Sequence, residues 1–145
     1  MNIRACLLAP VVAALTISAA AADEPTMKMS GPPPPKPIPA SYVAASPCVP
    51  TMGVHYVNPK APFSSPIYGT YQGKPVFTEV MMTPKELAAG KNWVDVLKPL
   101  PGYAINHVDI EYEPHGHPGM TFAHYDVHAY YVPHAVHEKF CLGNM

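Results

Sequence analysis

The chain predicts an α+β domain, a mostly antiparallel sheet with short helices inserted, either open or closing into a small barrel. Three observations carry this. Several short segments alternate apolar and polar residues at the period of two expected of half-buried strands. One segment has a complete helix-start signal. Two cysteines, Cys48 and Cys141, bracket the part able to fold.

The 145 residues allow one domain. Met1 to Ala22 carries one early cation, Arg4, then an apolar run and an Ala-rich end before Asp23. That is the pattern of a secretory signal peptide, with an apolar run shorter than a spanning helix requires. Its removal leaves eight basic and ten acidic residues. With no basic patch, nucleic acid is excluded as an expected partner, and so is a membrane once the signal is cleaved. Residues 23–47 are rich in proline and small residues, with Pro32 to Pro35 in a row. They read as a disordered linker stiffened by polyproline II. Met27 and Met29 offer thioethers for Cu(I), but two are too few to outweigh a plain linker. Residues 48–145 are then the single histidine-rich globular domain, expected in the periplasm or secreted. In an oxidising compartment Cys48 and Cys141 predict one disulfide, worth about 4 kcal/mol on the chain-entropy model; two buried thiols are the alternative.

Within the domain, Val54 to Val57 reads as a strand ended by Asn58-Pro59. Ile67 to Met82 reads as a hairpin turning at Gln72-Gly73, with Pro75 limiting how its second strand pairs. Thr83-Pro84-Lys85-Glu86 is a cap, a first-turn proline and a capping-box acid, and the helix should stop at Gly90. Asn92 to Leu97 predicts a second helical turn with Trp93 in the core. Ile105 to Glu113 alternates cleanly, with His107, Asp109 and Glu111 on the face expected to be solvated. Pro114 to Gly119 is a turn presenting His115 and His117. Met120 to Val132 is a long strand, and Pro133 to Phe140 a short terminal helix that should leave His134 and His137 exposed.

Six of the eight histidines fall between His115 and His137. Imidazole is the commonest metal ligand. On a strand His124, Asp126, His128 and Tyr130 share one face. Residues four apart on a strand lie about 13 Å apart, so His124 and His128 do not readily chelate one ion, whereas neighbours two apart, about 6.6 Å, can. The spacing therefore predicts a centre built across elements: His124 with Asp126 or His128, joined by His117 from the turn and His55 from the first strand. His115 is an alternative to His117, and Asp126 can instead orient a ligating ring. There is no G-x-S-x-G elbow, phosphate-binding glycine loop or CxxC pair to suggest other chemistry.

The segments CVPTMGVHY, GHPG and AHYDVHAYYVPH resemble those of a group of small, mostly bacterial, exported domains of unknown function, related to a thermophile protein controlled by an extracytoplasmic sigma factor. The pattern M-G-x-H, G-H-P and P-H-F-D-x-H-F-Y is matched by Met52 to His55, Gly116 to Pro118 and His124 to Tyr130. Ala123 stands where the pattern has proline, and Tyr125 and Ala129 where it has aromatics. The resemblance spans Cys48 to Cys141. It implies a shared domain rather than a mechanism, and singles out His55, His117, His124, Asp126 and His128. Three functions stay open. The domain binds a divalent transition metal, zinc by default with copper or nickel compatible. It uses that metal as a hydrolase-like enzyme, with Asp126 or Glu113 as base. Or it is a metal-free structural or stress-response module. Homo-oligomerisation fits any of them, and no small-molecule ligand is named by the sequence.

Overall fold

The computed structural model describes residues 32–117 and 120–144. The signal-peptide segment, Met27, Met29 and the Pro118-Gly119 pair lie outside them.

Six strands form one antiparallel sheet: β1 (Val43–Ala44), β2 (Val54–Val57), β3 (Ile67–Tyr71), β4 (Lys74–Met82), β5 (His107–Glu113) and β6 (His124–Tyr130). Their order is β1-β2-β3-β4-β6-β5, so β1 and β5 are edges and the sheet does not close into a barrel. The hairpin β3–β4 turns at Gln72 and Gly73, both with positive φ, as a two-residue hairpin turn demands. Pro75 has no N–H for the ladder. The register slips beside it: Gly69 pairs with Phe77 but Thr70 with Pro75, which leaves Val76 as the extra residue of a bulge.

Helix α1 (Pro84–Ala88) begins as its sequence demands. Thr83 caps it, and the capping box to Glu86 is complete. Gly90, with φ of +70°, follows its end. The second helical turn expected over 92–97 does not form. Asp95 adopts a left-handed φ of 60°, which breaks any helix there. Trp93 is only half-buried, and the Lys91 ammonium sits 4.0 Å from its ring centroid. Helix α2 (His134–His137) is a single turn.

The linker boundary at residue 47 also moves. Ile38 and Tyr42 are buried, Tyr42 donates to the Pro66 carbonyl at 3.1 Å, and Val43–Ala44 pairs with β2. These apolar side chains give the proline-rich stretch something to bury, so the fold starts before Cys48. Cys48 and Cys141 are joined by a disulfide with Cα atoms 5.8 Å apart.

The two faces of the sheet differ in kind. One packs Tyr56, Tyr68 and Tyr131 with Ile38, Tyr42 and Leu100. On the other, register places Phe77, Glu79 and Met81 of β4 beside Tyr130, His128 and Asp126 of β6. These in turn lie beside His107, Asp109 and Glu111 of β5. This second face carries the histidines and carboxylates of β4, β5 and β6 that these registers bring side by side.

Candidate metal centres on one sheet face

Strand alternation aims His124, Asp126 and His128 at one face, as expected, but they do not share one centre. The structure divides the predicted residues between two clusters, and a third cluster lies farther along the same face.

The first cluster is His117, His124 and Asp126. The turn before β6 brings His117 over the strand. Gly116 makes this turn possible: its φ is +65°, and a Cβ there would lie 2.0 Å from the Met120 carbonyl oxygen. His124 Nε2 is 3.2 Å from His117 Nε2 and 3.1 Å from Asp126 Oδ1. His117 Nε2 is 3.7 Å from Asp126 Oδ2. His124 Nδ1 lies 2.7 Å from the Phe122 carbonyl. A carbonyl only accepts, so Nδ1 carries the hydrogen and a neutral His124 turns the Nε2 lone pair to the cluster.

The second cluster is His55, Glu79 and His128. His55 comes from β2, across the sheet, and both its Nε2 and that of His128 lie 3.6 Å from Glu79 Oε2. The Ser46 hydroxyl donates to the Pro47 carbonyl. It can therefore only accept from His55 Nδ1, 3.1 Å away, and a neutral His55 again points an Nε2 lone pair inward. Glu79 and His128 are buried. Glu79 Oε2, Asp126 Oδ1 and both nitrogens of His128 make no hydrogen bond among the described residues. Such groups are costly to bury. Their N···O separations from neighbouring side chains include 3.1, 3.4 and 3.6 Å. Ligand atoms placed tetrahedrally about a zinc ion, with bonds of about 2.0–2.2 Å, are about 3.3–3.5 Å apart.

Electrostatics follow from this burial. Loss of water raises the Glu79 carboxyl to about 7, with Asp126 and Glu111 adding repulsion and His128 opposing. Burial, with the His128 and His117 rings nearby, lowers His55 to about 3. Burial would also depress His128, but Glu79, Glu111 and Asp126 outweigh it and raise it. Glu111 is held below the usual carboxylate range, chiefly by the His128 ring, whose Nδ1 is 3.4 Å from Glu111 Oε2.

The third cluster is His107, Asp109, His134 and His137. The solvated placement expected for His107 and the exposed one for His137 are both corrected. His137 is buried and stacks on Tyr130 at 3.9 Å, and His107 stacks on Tyr130 from β5 at 5.0 Å. Burial lowers the His137 pKa. His134 remains exposed, as expected, and His115 joins no cluster. Glu113 pairs with His124 across the strands but also joins none.

The sequence reading missed Glu79, although a lone carboxylate in the apolar run Val76 to Met82 is itself a signal. It missed the third cluster because β5 is inverted relative to expectation. Val108, Ile110 and Tyr112 are the exposed side, and the polar side faces the clusters.

A family model described as TTHB210-like, hypothetical protein TTHB210, matches residues 70–112. That span holds Glu79, His107 and Asp109 but none of the three short motifs of the sequence resemblance. Among solved structures, hypothetical protein TTHB210 from Thermus thermophilus is similar at 25% identity and a TM-score of 0.54. The likeness covers 62% of this chain and 86% of that one. No curated protein matches. Together these findings support the resemblance read from the motifs, to a small uncharacterised family related to a thermophile protein.

Proposed function

We propose that this is an exported protein that binds divalent transition metal through clustered histidines, zinc by default and copper or nickel with the same nitrogen ligands. The supporting observation is the set of buried atoms at the centre of the polar face. Glu79 Oε2, Asp126 Oδ1 and His128 Nε2 lie against neighbouring ligand atoms without hydrogen-bonding them, while His128 Nδ1 faces Glu111 Oε2 at 3.4 Å, an acceptor for its hydrogen. A cation at His55–Glu79–His128 and at His117–His124–Asp126 satisfies these atoms. Each set supplies three ligands. Export is favoured by the signal-like N-terminus and the disulfide. Among the described residues no helix is long and apolar enough to cross a membrane.

Elemental analysis of untagged, disulfide-intact protein is the test. Metal should co-purify, or be taken up on titration after stripping. His124→Ala should lower the content sharply. A stripped protein that takes up none would abandon the reading and leave a structural module.

A catalytic version has one observation in its favour. The His117 side chain is 40% exposed, so its three-ligand set opens to solvent, as in zinc enzymes that keep a coordination position for water. With Asp126 as one of the three ligands, Glu113, which pairs with His124 across the strands, is the candidate base; Asp126 takes that role only where it does not bind the metal. Azide should perturb the visible spectrum of the cobalt-loaded protein if that position is open, and leave it unchanged if it is closed.

A further inference from the structure

We propose that His107, Asp109, His134 and His137 form a separate, fully coordinated zinc-type site that fastens the C-terminal helix to the sheet. It shares with the preceding reading only the class of ligand, since none of its residues belongs to the other two clusters. The site is assembled from β5 and α2, about thirty residues apart along the chain at the His107–His137 contact.

Five of the six edges between the four ligand atoms fit a tetrahedron, and all four atoms lie within 4.8 Å of one another. Asp109 Oδ2 lies 3.6 Å from His107 Nε2, 3.5 Å from His134 Nδ1 and 3.5 Å from His137 Nε2. His137 Nε2 lies 3.2 Å from His107 Nε2 and 2.9 Å from His134 Nδ1. These edges scatter about the roughly 3.3–3.5 Å expected for four N and O ligands on one zinc ion.

The outer nitrogens say the same. His137 Nδ1 lies 3.0 Å from the Thr51 carbonyl, which can only accept. His107 Nδ1 lies 3.3 Å from Asn106 Oδ1, and His134 Nε2 lies 3.2 Å from the Glu138 carboxylate. Each ring thus has an oxygen to receive its one hydrogen on the outer side. Each then presents a lone pair to the same point as Asp109. Three neutral rings so arranged repel one another at 2.9–3.2 Å. A proton can relieve one such pair, whereas a dication relieves all of them. An oxygen acceptor behind each imidazole is the arrangement that orients ligating histidines. Three nitrogens and a carboxylate complete a zinc coordination sphere, so this site is expected to bind without an exchangeable water.

The test uses the full-length, disulfide-intact protein, stripped of metal and titrated with Co(II), then Zn(II). Tetrahedral cobalt absorbs strongly in the visible. His134→Ala changes an exposed side chain, and Asp109→Asn keeps the shape, so both should fold. Each should remove one equivalent of tetrahedral cobalt relative to wild type. His124→Ala with His128→Ala should leave that equivalent in place, which separates this site from the other two. Zinc should slow amide hydrogen exchange across residues 134–141 in wild type but not in His134→Ala. Azide should not alter the remaining band of the His124→Ala, His128→Ala variant. The proposal is overturned if both His134→Ala and Asp109→Asn keep the full cobalt band. It is equally overturned if the variant lacking His124 and His128 binds no tetrahedral cobalt while wild type does, or if wild type shows none.

Discussion

At Gly69 an added Cβ would lie 2.0 Å from Phe77 Cε1. The Phe77 ring cannot yield easily: it packs edge-on against His128 at 4.8 Å and Tyr130 at 5.4 Å, and lies 5.3 Å from His55. Gly69→Ala should therefore cost about 1–3 kcal/mol in urea denaturation, the usual range for overpacking. It should also weaken metal uptake at His55 and His128, because the displaced ring pushes on both. Gly53, in the Met52-Gly53-Val54-His55 motif, is fixed more strongly still. Its φ is +100° and a Cβ would lie 2.3 Å from the Thr70 carbonyl oxygen. The glycine of that motif is thus explained by backbone contact with β3, two residues from a candidate ligand, without any direct part in binding.

Among the elements, α1 is the one whose stability is written locally. Glu86 accepts from the Thr83 backbone at 2.9 Å and from Lys91 at 2.7 Å. The Lys91 bond, then the Thr83 backbone, lowers its pKa to about 2. A depressed carboxyl binds fewer protons folded than unfolded. Its stabilisation is therefore complete above about 4.5 and lost as pH falls toward about 2. Both partners are partly exposed, so screening holds the effect under about 1 kcal/mol. Glu86→Gln should flatten the acid limb of the stability–pH profile by that amount, with its full cost at pH 8 and the smallest difference from wild type near pH 2. Thr83→Ala should cost about 1 kcal/mol at any pH through loss of the cap. A Glu86→Gln profile parallel to wild type from pH 5 to pH 2 would contradict this account.

At the scale of the molecule, the disulfide and the third cluster secure the same corner. Cys48 and Cys141 close a separation of 93 residues. Thr51, close to Cys48, donates its N–H to the Phe140 carbonyl at 2.9 Å and gives its own carbonyl to His137. Replacing both cysteines by serine should cost about 2–4 kcal/mol. It should also weaken metal at His107–Asp109–His134–His137 before it affects His117–His124–Asp126, measured by cobalt titration of the two sets. Metal should stabilise the whole fold by mass action, by about 2.7 kcal/mol at a hundred times the dissociation constant. That gain should fade in acid, since protonated imidazole does not bind metal. A melting temperature unmoved by zinc at neutral pH would count against every one of the three clusters.

The sequence alone determined the strands from β2 to β6, the hairpin turn, the capped helix and the one-sided display of His124, Asp126 and His128, and it pointed to the cysteine pair. All of these depend on local backbone preference, on a period of two, or, for the cysteines, on Cys6 falling in the signal-like N-terminus and leaving Cys48 and Cys141 as the expected pair. It did not determine how the ligand set divides. The expectation of one centre becomes separate clusters because β6 runs straight between β4 and β5. Residues along it therefore meet different neighbours: His117 at one end, Glu79 and His55 at the middle, and beyond Tyr130 the rings of β5 and α2. Which neighbours those are depends on strand order and register, properties of pairs of segments distant in the chain. The inversion of β5 has the same origin. Its alternation was legible, but which side would be covered depended on where α2 and the partner strand came to lie.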